Sequence, residues 1–418
     1  MASGADLVAY NDVLKEHYTR DRVIDMTYRT NPLYAMMPKY MKFGGKNLPV
    51  PILYGNPQGR SKNFQKAQQR GQETSSLFKS FFLTRVKDYS IATIDNETMQ
   101  ATRGDPNAFL EAATTEIDGS INALTRSLAI NMYRDVSSQI GRVGAEPADD
   151  TPFIVPIQNA GDVSNFEVGQ MIVIYADKSG GTAKTDGTTN VWEIIAVNRS
   201  SGIPSITLDG TYDSGGGGNI AAGDYLFVDG DRGIGLSGLE DWIPDSDPGT
   251  NGVPTDIFGV DRTADVTRLG GLRLDGTNAP IEEVLTEADA IVAANGGFAL
   301  DHFFMSHNSF KNLKNALGSK VQYIDVGVTP RVSFRGVQVD GTRGPIKVIP
   351  DHNCPDDRIF GLQLEYWKMY SLGDPVQIIS PDGLQMLRQA NDDGAEVRHG
   401  SYSQIGCRAP GSNINIQI

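Results

Sequence analysis

Apolar residues recur in steps of three and four at Phe109, Ala113, Ile117, Ile121, Leu124, Leu128, Met132 and Val136, the period of a helix with one buried side. Asp105 is a good N-cap, Pro106 a good first-turn residue, and Gly141 and Gly144 end the pattern. Such a helix is roughly 50 Å long at 1.5 Å per residue. Burying its large apolar side chains at ~1.5–3 kcal/mol each makes it a structural axis. Gly119 costs about 1 kcal/mol inside a helix and predicts a close contact or a bend.

Upstream the pattern is broken. Tyr10, Val13, Leu14 and His17 share one helical face, and Asn31-Pro32-Leu33-Tyr34 restarts the chain after a turn. Pro32, Pro38, Pro49, Pro51 and Pro57, with Gly44, Gly45, Gly55 and Gly59, leave no long apolar period. Residues 1–50 read as an extended arm. Residues 51–94 hold a Gln/Lys/Arg-rich stretch, Gln58 to Gln72, between strand-like runs, the second from Ser76 to Val86. Two strands joined by a basic tip make a protruding hairpin, which is marginal alone in water and needs a surface to lie on.

After the long helix, assigned to 95–144, short strands alternate with turn clusters over 145–232. They are Phe153–Ile157, Met171–Tyr175, Val191–Val197, Ser205–Leu208 and Tyr225–Val228, with turns such as Ser179-Gly180-Gly181 and Ser214 to Asn219. This spacing predicts a small antiparallel β-barrel inserted into its host. Residues 233–279 read as irregular. Over 280–395, helices start at Pro280 and after the Ser306 cap, the latter with Phe310, Leu313 and Leu317 inward and Gly318 at its stop. Strands are predicted at His302–Met305, Val332–Val339, Ile346–Ile349, Arg358–Leu364 and Val376–Ser380. A β segment over 396–418 ends the chain. The whole is α+β.

Charge sharpens the division. The first ninety residues carry 14 Lys/Arg against 7 Asp/Glu, the remainder 23 against 44, and 145–232 alone 4 against 13. A basic arm and hairpin on an acidic body predict packing on other copies of that body. The net charge of −14 argues against general nucleic-acid affinity, which comes from clustered Lys/Arg neutralising phosphates. Aromatic and basic residues over 78–89 could stack single-stranded nucleic acid, but the rest of the chain would repel phosphates. No apolar run approaches the ~18 residues of a membrane span, and the start does not read as a signal peptide. Cys354 and Cys407 lack CxxC spacing and read as isolated thiols of a reducing compartment.

Chemistry is sparse. There is no Walker loop, no GxGxxG after a strand, no HExxH and no GxSxG. His302 and His307 have no carboxylate or cysteine at ligand spacing. Asp224, Asp229 and Asp231 lack the twelve-residue calcium pattern and read as turn formers. Glu282-Glu283 suits the positive end of a helix dipole. No catalytic residue, cofactor or metal is expected.

The order of parts resembles the major capsid protein of tailed double-stranded-DNA phages, a fold shared with encapsulins. Pro280-Ile281-Glu282-Glu283-Val284-Leu285, Gly296-Gly297, Phe304-Met305-Ser306-His307 and Phe310-Lys311-Asn312-Leu313 are similar to that family's axial-domain helix, loop, strand, turn and helix. Gly344-Pro345-Ile346-Lys347-Val348-Ile349-Pro350-Asp351, Asn353-Cys354-Pro355 and Ile359-Phe360-Gly361-Leu362 look like its later strands and proline turn. The resemblance covers the chain except 145–232. It implies N-arm, extended hairpin loop, spine helix, peripheral and axial domains, and a structural subunit forming hexamers and pentamers of an icosahedral head around double-stranded DNA. That subunit would be no enzyme, would assemble in the bacterial cytoplasm and would reside in the virion. The absence of a charged leader before the arm favours a separate scaffolding protein. A portal protein and a decoration protein are further partners that the family brings. Contact residues expected on the hairpin are Arg60, Lys62, Lys66, Arg70, Phe78, Lys79 and Phe81, with Lys62 and Lys66 also candidates for a cross-link. The rivals are an encapsulin-like compartment shell and a β-rich hydrolase or carbohydrate-binding protein.

Overall fold

The computed structural model describes residues 18, 20–97, 106–185, 189–200, 202–212, 220–296, 298–318, 322–329, 332–380, 383–389 and 393–418. The helical face proposed for Tyr10 to His17, the Asp105 cap and the Ser214 to Asn219 turn lie outside them. The long helix runs Pro106–Tyr133. Ala113, Ile117, Ile121, Leu124, Leu128 and Met132 are buried, the side that the period predicts. With 28 residues it is ~42 Å long, shorter than its pattern promised. The chain turns at Asp135, whose carboxylate accepts the Ser137 amide at 3.0 Å, and Ser138 follows at φ 61°. Val136 therefore falls beyond the helix and is exposed. Gly119 marks no close contact, since a β-carbon there would meet nothing within 4 Å.

This helix packs on a six-stranded sheet whose hub is Gly394–Cys407. That strand pairs antiparallel with Val86–Asp95, Trp367–Ser371, Gln377–Ile378 and Met386–Arg388, and Lys39–Tyr40 runs parallel to Trp367–Ser371. Hydrogen bonds from Ser120 Oγ to Ser90 Oγ at 2.9 Å and with His399 Nδ1 at 2.8 Å tie helix to sheet. The strand expected at Val376–Ser380 is only Gln377–Ile378.

A second, seven-stranded sheet is mixed. Its order is Leu272–Asp275, Ile414–Gln417, Arg358–Leu362, His302–Met305, Gly344–Pro350, Val332–Gly341 and Gln322–Thr329. Helices Ile281–Ala294 and His307–Leu317 share an apolar cluster with it through Val284, Leu285, Val292 and Leu313. Ser306 caps the second helix by accepting the Ser309 amide at 3.2 Å, and Gly318 stops it at φ 54°. Leu313 is buried as expected, whereas Phe310 and Leu317 are half-buried. Within the tract read as irregular, Leu239–Trp242 forms one helical turn that buries Trp242 completely. Cys354 and Cys407 are buried free thiols.

Between the long helix and that turn lies a third, antiparallel sheet with its own core. Its order is Gly141–Arg142, Tyr225–Val228, Met171–Tyr175, Trp192–Asn198, Ser205–Leu208 and Phe153–Pro156. The two ends of this order meet, with the Gly144 amide donating to Pro156 O at 2.8 Å and the Gln158 amide to Arg142 O at 2.9 Å. Phe153, Phe166, Trp192 and Leu226 fill its interior, and Ile130 of the long helix joins them.

Charges fasten this sheet to the rest. Arg134, just past the long helix, pairs with Asp162 with both side chains buried, and Lys178 pairs with Asp135 and lies 3.8 Å from Glu240. The Gly161 amide donates to Asp356 Oδ2 at 2.9 Å. A polar cavity of about 710 Å³ opens along this junction, between Arg142, Lys178 and Tyr225 on one side and Glu240, Asp241 and Arg262 on the other.

Candidate functional site

The hairpin is a two-stranded ribbon, Asn47–Gly55 against Leu77–Thr84, with Val50 opposite Phe81 and Leu53 opposite Phe78. Strand Val86–Asp95, which the sequence placed in the same hairpin, pairs instead with Gly394–Cys407. Alternation along the ribbon separates its two faces. Val50, Ile52, Phe81 and Leu83 turn inward and are buried, while Leu53, Phe78 and Phe82 turn outward and are exposed. Pro49 and Pro51 lie in the first strand, where each withholds a ladder donor and so discourages a further strand from adding there.

The ribbon is held along its length. The Phe82 amide donates to Phe258 O at 3.0 Å, and Lys79 Nζ donates to Asp261 O at 2.6 Å. Arg268 Nη1 donates to Tyr54 O at 2.7 Å. The tip is not held in this way. It carries a ten-residue helix, Phe64–Glu73, capped by Asn63 Oδ1 accepting the Gln65 and Lys66 amides. None of its residues is buried, and Phe64 is 80% exposed. The sequence offered a basic tip but no apolar period to announce this helix.

Of the seven residues expected to make contacts, Arg60, Lys62, Lys66 and Arg70 are exposed around the tip, and Phe78 is 66% exposed beside it. Lys79 is engaged with the Asp261 carbonyl of the same protomer. Phe81 must be corrected: it is 0% exposed, edge-on to Trp242, and belongs to the protomer's core. Adjacent aromatics on a strand face opposite ways, so Phe82, half exposed, is the outward one. Leu53, Phe64 and Leu77 complete the outward apolar set that the sequence did not single out.

Other candidates resolve into structural roles. Asp224 accepts the Ala221 amide at 2.7 Å, as a turn former does. Among the described residues no group of three His, Cys, Asp or Glu side chains converges as a metal site. At the junction cavity, burial and then the charge of Asp135 push the Asp241 carboxyl up to about 7, and burial lowers Arg262 to about 10. No helix among the described residues is long and apolar enough to cross a membrane.

No protein-family model matches the chain, and no curated protein sequence matches it. Solved structures do show likeness. The capsid asymmetric unit of cyanophage A-1(L) shares 12% identity at a TM-score of 0.46, covering 96% of this chain and 94% of that one. The SrpI encapsulin of Synechococcus elongatus PCC 7942 shares 8% at 0.42, covering 92% and 86%. The capsid of Myoviridae phage XM1 shares 8% at 0.39, covering 92% and 90%. The solved structures to which this chain is similar include phage capsids and an encapsulin.

Proposed function

We propose that this chain is the major capsid subunit of a tailed double-stranded-DNA phage, assembling as hexamers and pentamers into an icosahedral head. The observation that carries this is the unfinished hairpin: a capped helix with no buried residue, on a ribbon whose outward face is apolar. An isolated helix of this length and an isolated two-stranded ribbon are each marginal in water. Burying side chains such as Phe64 and Phe78 on a neighbour contributes ~1.5–3 kcal/mol each, repeated at every contact of a shell. The exposed cations of the tip set orientation more than cohesion, because exposed pairs contribute about 0–1 kcal/mol each.

In this role the residues before Asn47 are the arm, the hairpin beginning at Asn47 rather than at residue 51. The long helix is the spine, and residues 145–232 are a small barrel inserted between the spine helix and the rest of the body. A separate scaffolding protein guides assembly in the bacterial cytoplasm, a portal protein occupies one vertex, and a decoration protein is a further candidate partner. The acidic body encloses DNA without sequence-specific binding, since a lumen that held phosphates tightly would obstruct packaging and release. Electron microscopy of the purified chain, with and without its scaffold, tests this. Closed hollow particles are expected; a persistent monomer overturns it.

A further inference from the structure

Resting on the shell-subunit proposal, we infer that the hairpin tip of one copy docks on the outer face of the 145–232 tract of a second copy. Large apolar side chains that stand exposed are not spread evenly over the chain. Among the described residues there are seventeen, and ten fall in two segments. Five are on the hairpin, at Leu53, Phe64, Leu77, Phe78 and Phe82; five are on the tract, at Ile154, Val168, Met171, Ile195 and Ile203. Scattered exposed apolar residues need no explanation, whereas clustered ones mark contact surfaces.

The tract's set is organised by strand register. Met171 lies opposite Glu193, and Thr207 lies opposite both Ile154 and Ala196. Ile195 falls where the register shifts between Ile194 and Ala196, so that it and Ala196 are both exposed. Met171, Ile195 and Ile154 therefore stand on three strands of one sheet with their neighbours along the chain turned inward: Ile172, Ile194 and Val155 are buried. Glu193 and Asp209 are exposed beside this row, and the Asp209 amide donates to Glu193 O at 2.9 Å, which sets the two residues side by side.

Charge selects the occupant. The tip presents Arg60, Lys62, Lys66 and Arg70 against the single acid Glu73, and the tract carries 13 acidic residues against 4 basic ones. The rest of the acidic body is longer and more dilute in charge, so the tract is the surface on which a basic tip gains most. The match is twofold: apolar set against apolar set, and cations beside them against carboxylates. Such pairing steers approach and fixes register, while the apolar area supplies cohesion.

Zero-length carbodiimide coupling joins a lysine to a carboxylate already in contact, and tests this directly. Particles are assembled from mixed light and nitrogen-15-labelled protein, coupled, digested and analysed by mass spectrometry, so that links between copies are told from links within one. Lys62 or Lys66 joined to Glu193, Asp209 or another carboxylate of 145–232 in a mixed-label peptide pair is the result expected. Particles in which these lysines join only carboxylates outside the tract overturn the inference and leave the shell proposal standing. Failure to form particles overturns both.

Discussion

The ring of Phe81 stands edge-on to that of Trp242, their centroids 4.8 Å apart, at the root of the hairpin that leaves the body. Three residues back, on the ribbon's other face, Phe78 meets nothing comparable and is largely exposed. The hairpin is thus anchored by one aromatic and offers others outward. Phe81→Ala should destabilise the subunit by about 3–5 kcal/mol in urea unfolding, as truncation of a buried phenylalanine does. Phe78→Ser should change unfolding by less than about 0.5 kcal/mol yet reduce assembly. Equal losses of stability in the two variants would contradict this division of the ribbon.

The ion pair of Arg134 with Asp162 joins the foot of the long helix to the third sheet with both side chains buried. Removing Asp162 leaves the buried Arg134 guanidinium with only the longer Glu240 pair at 4.0 Å, so Asp162→Ala should cost about 3 kcal/mol. Glu167 pairs with Arg126 and Arg199 across an exposed surface, and Glu167→Ala should cost about 0–1 kcal/mol. Thermal unfolding of the two variants measures the difference. A Glu167 variant as damaged as the Asp162 one would show that the junction is not held by its buried pair.

Asp241 gives the junction a pH dependence of definite sign. Burial, then the charge of Asp135, raises its carboxyl from 3.8 to about 7. The folded protein therefore holds a proton that the unfolded chain releases, and this group's contribution is full below about pH 4 and is lost as pH rises through about 7. Asp241→Asn, which stays neutral, should flatten the fall in melting temperature between pH 4 and 7. Parallel curves for variant and parent would exclude Asp241 as its source.

Legibility in the sequence followed the physics of burial. The long helix could be read because Ile117, Ile121 and Met132 are buried on one side, and a single buried side writes its period plainly. Helix His307–Leu317 carried both of its punctuation marks, Ser306 and Gly318. Strand Gly394–Cys407 was legible only in part, because polar residues occupy buried positions there: His399, Ser401 and Ser403 are each at most 1% exposed. Part of their cost is offset by hydrogen bonds that a linear pattern does not reveal, His399 Nδ1 with Ser120 from the long helix and Ser401 with Ser403. The cations of the hairpin tip were legible from charge alone. Phe81 was not, because the run from Leu77 to Leu83 places apolar residues on both faces and alternation cannot say which face is inward.

Binding of the hairpin tip to another copy of this chain is tested most directly by sedimentation velocity. Parent protein and a variant with Lys62→Glu, Lys66→Glu and Arg70→Glu are compared, with scaffold present, at low and high ionic strength. The parent should sediment as large particles at both, and the variant should assemble poorly, with the larger deficit at low salt where repulsion from acidic neighbours is unscreened. Equal assembly of both proteins at every ionic strength, or a monomer throughout, would contradict such binding.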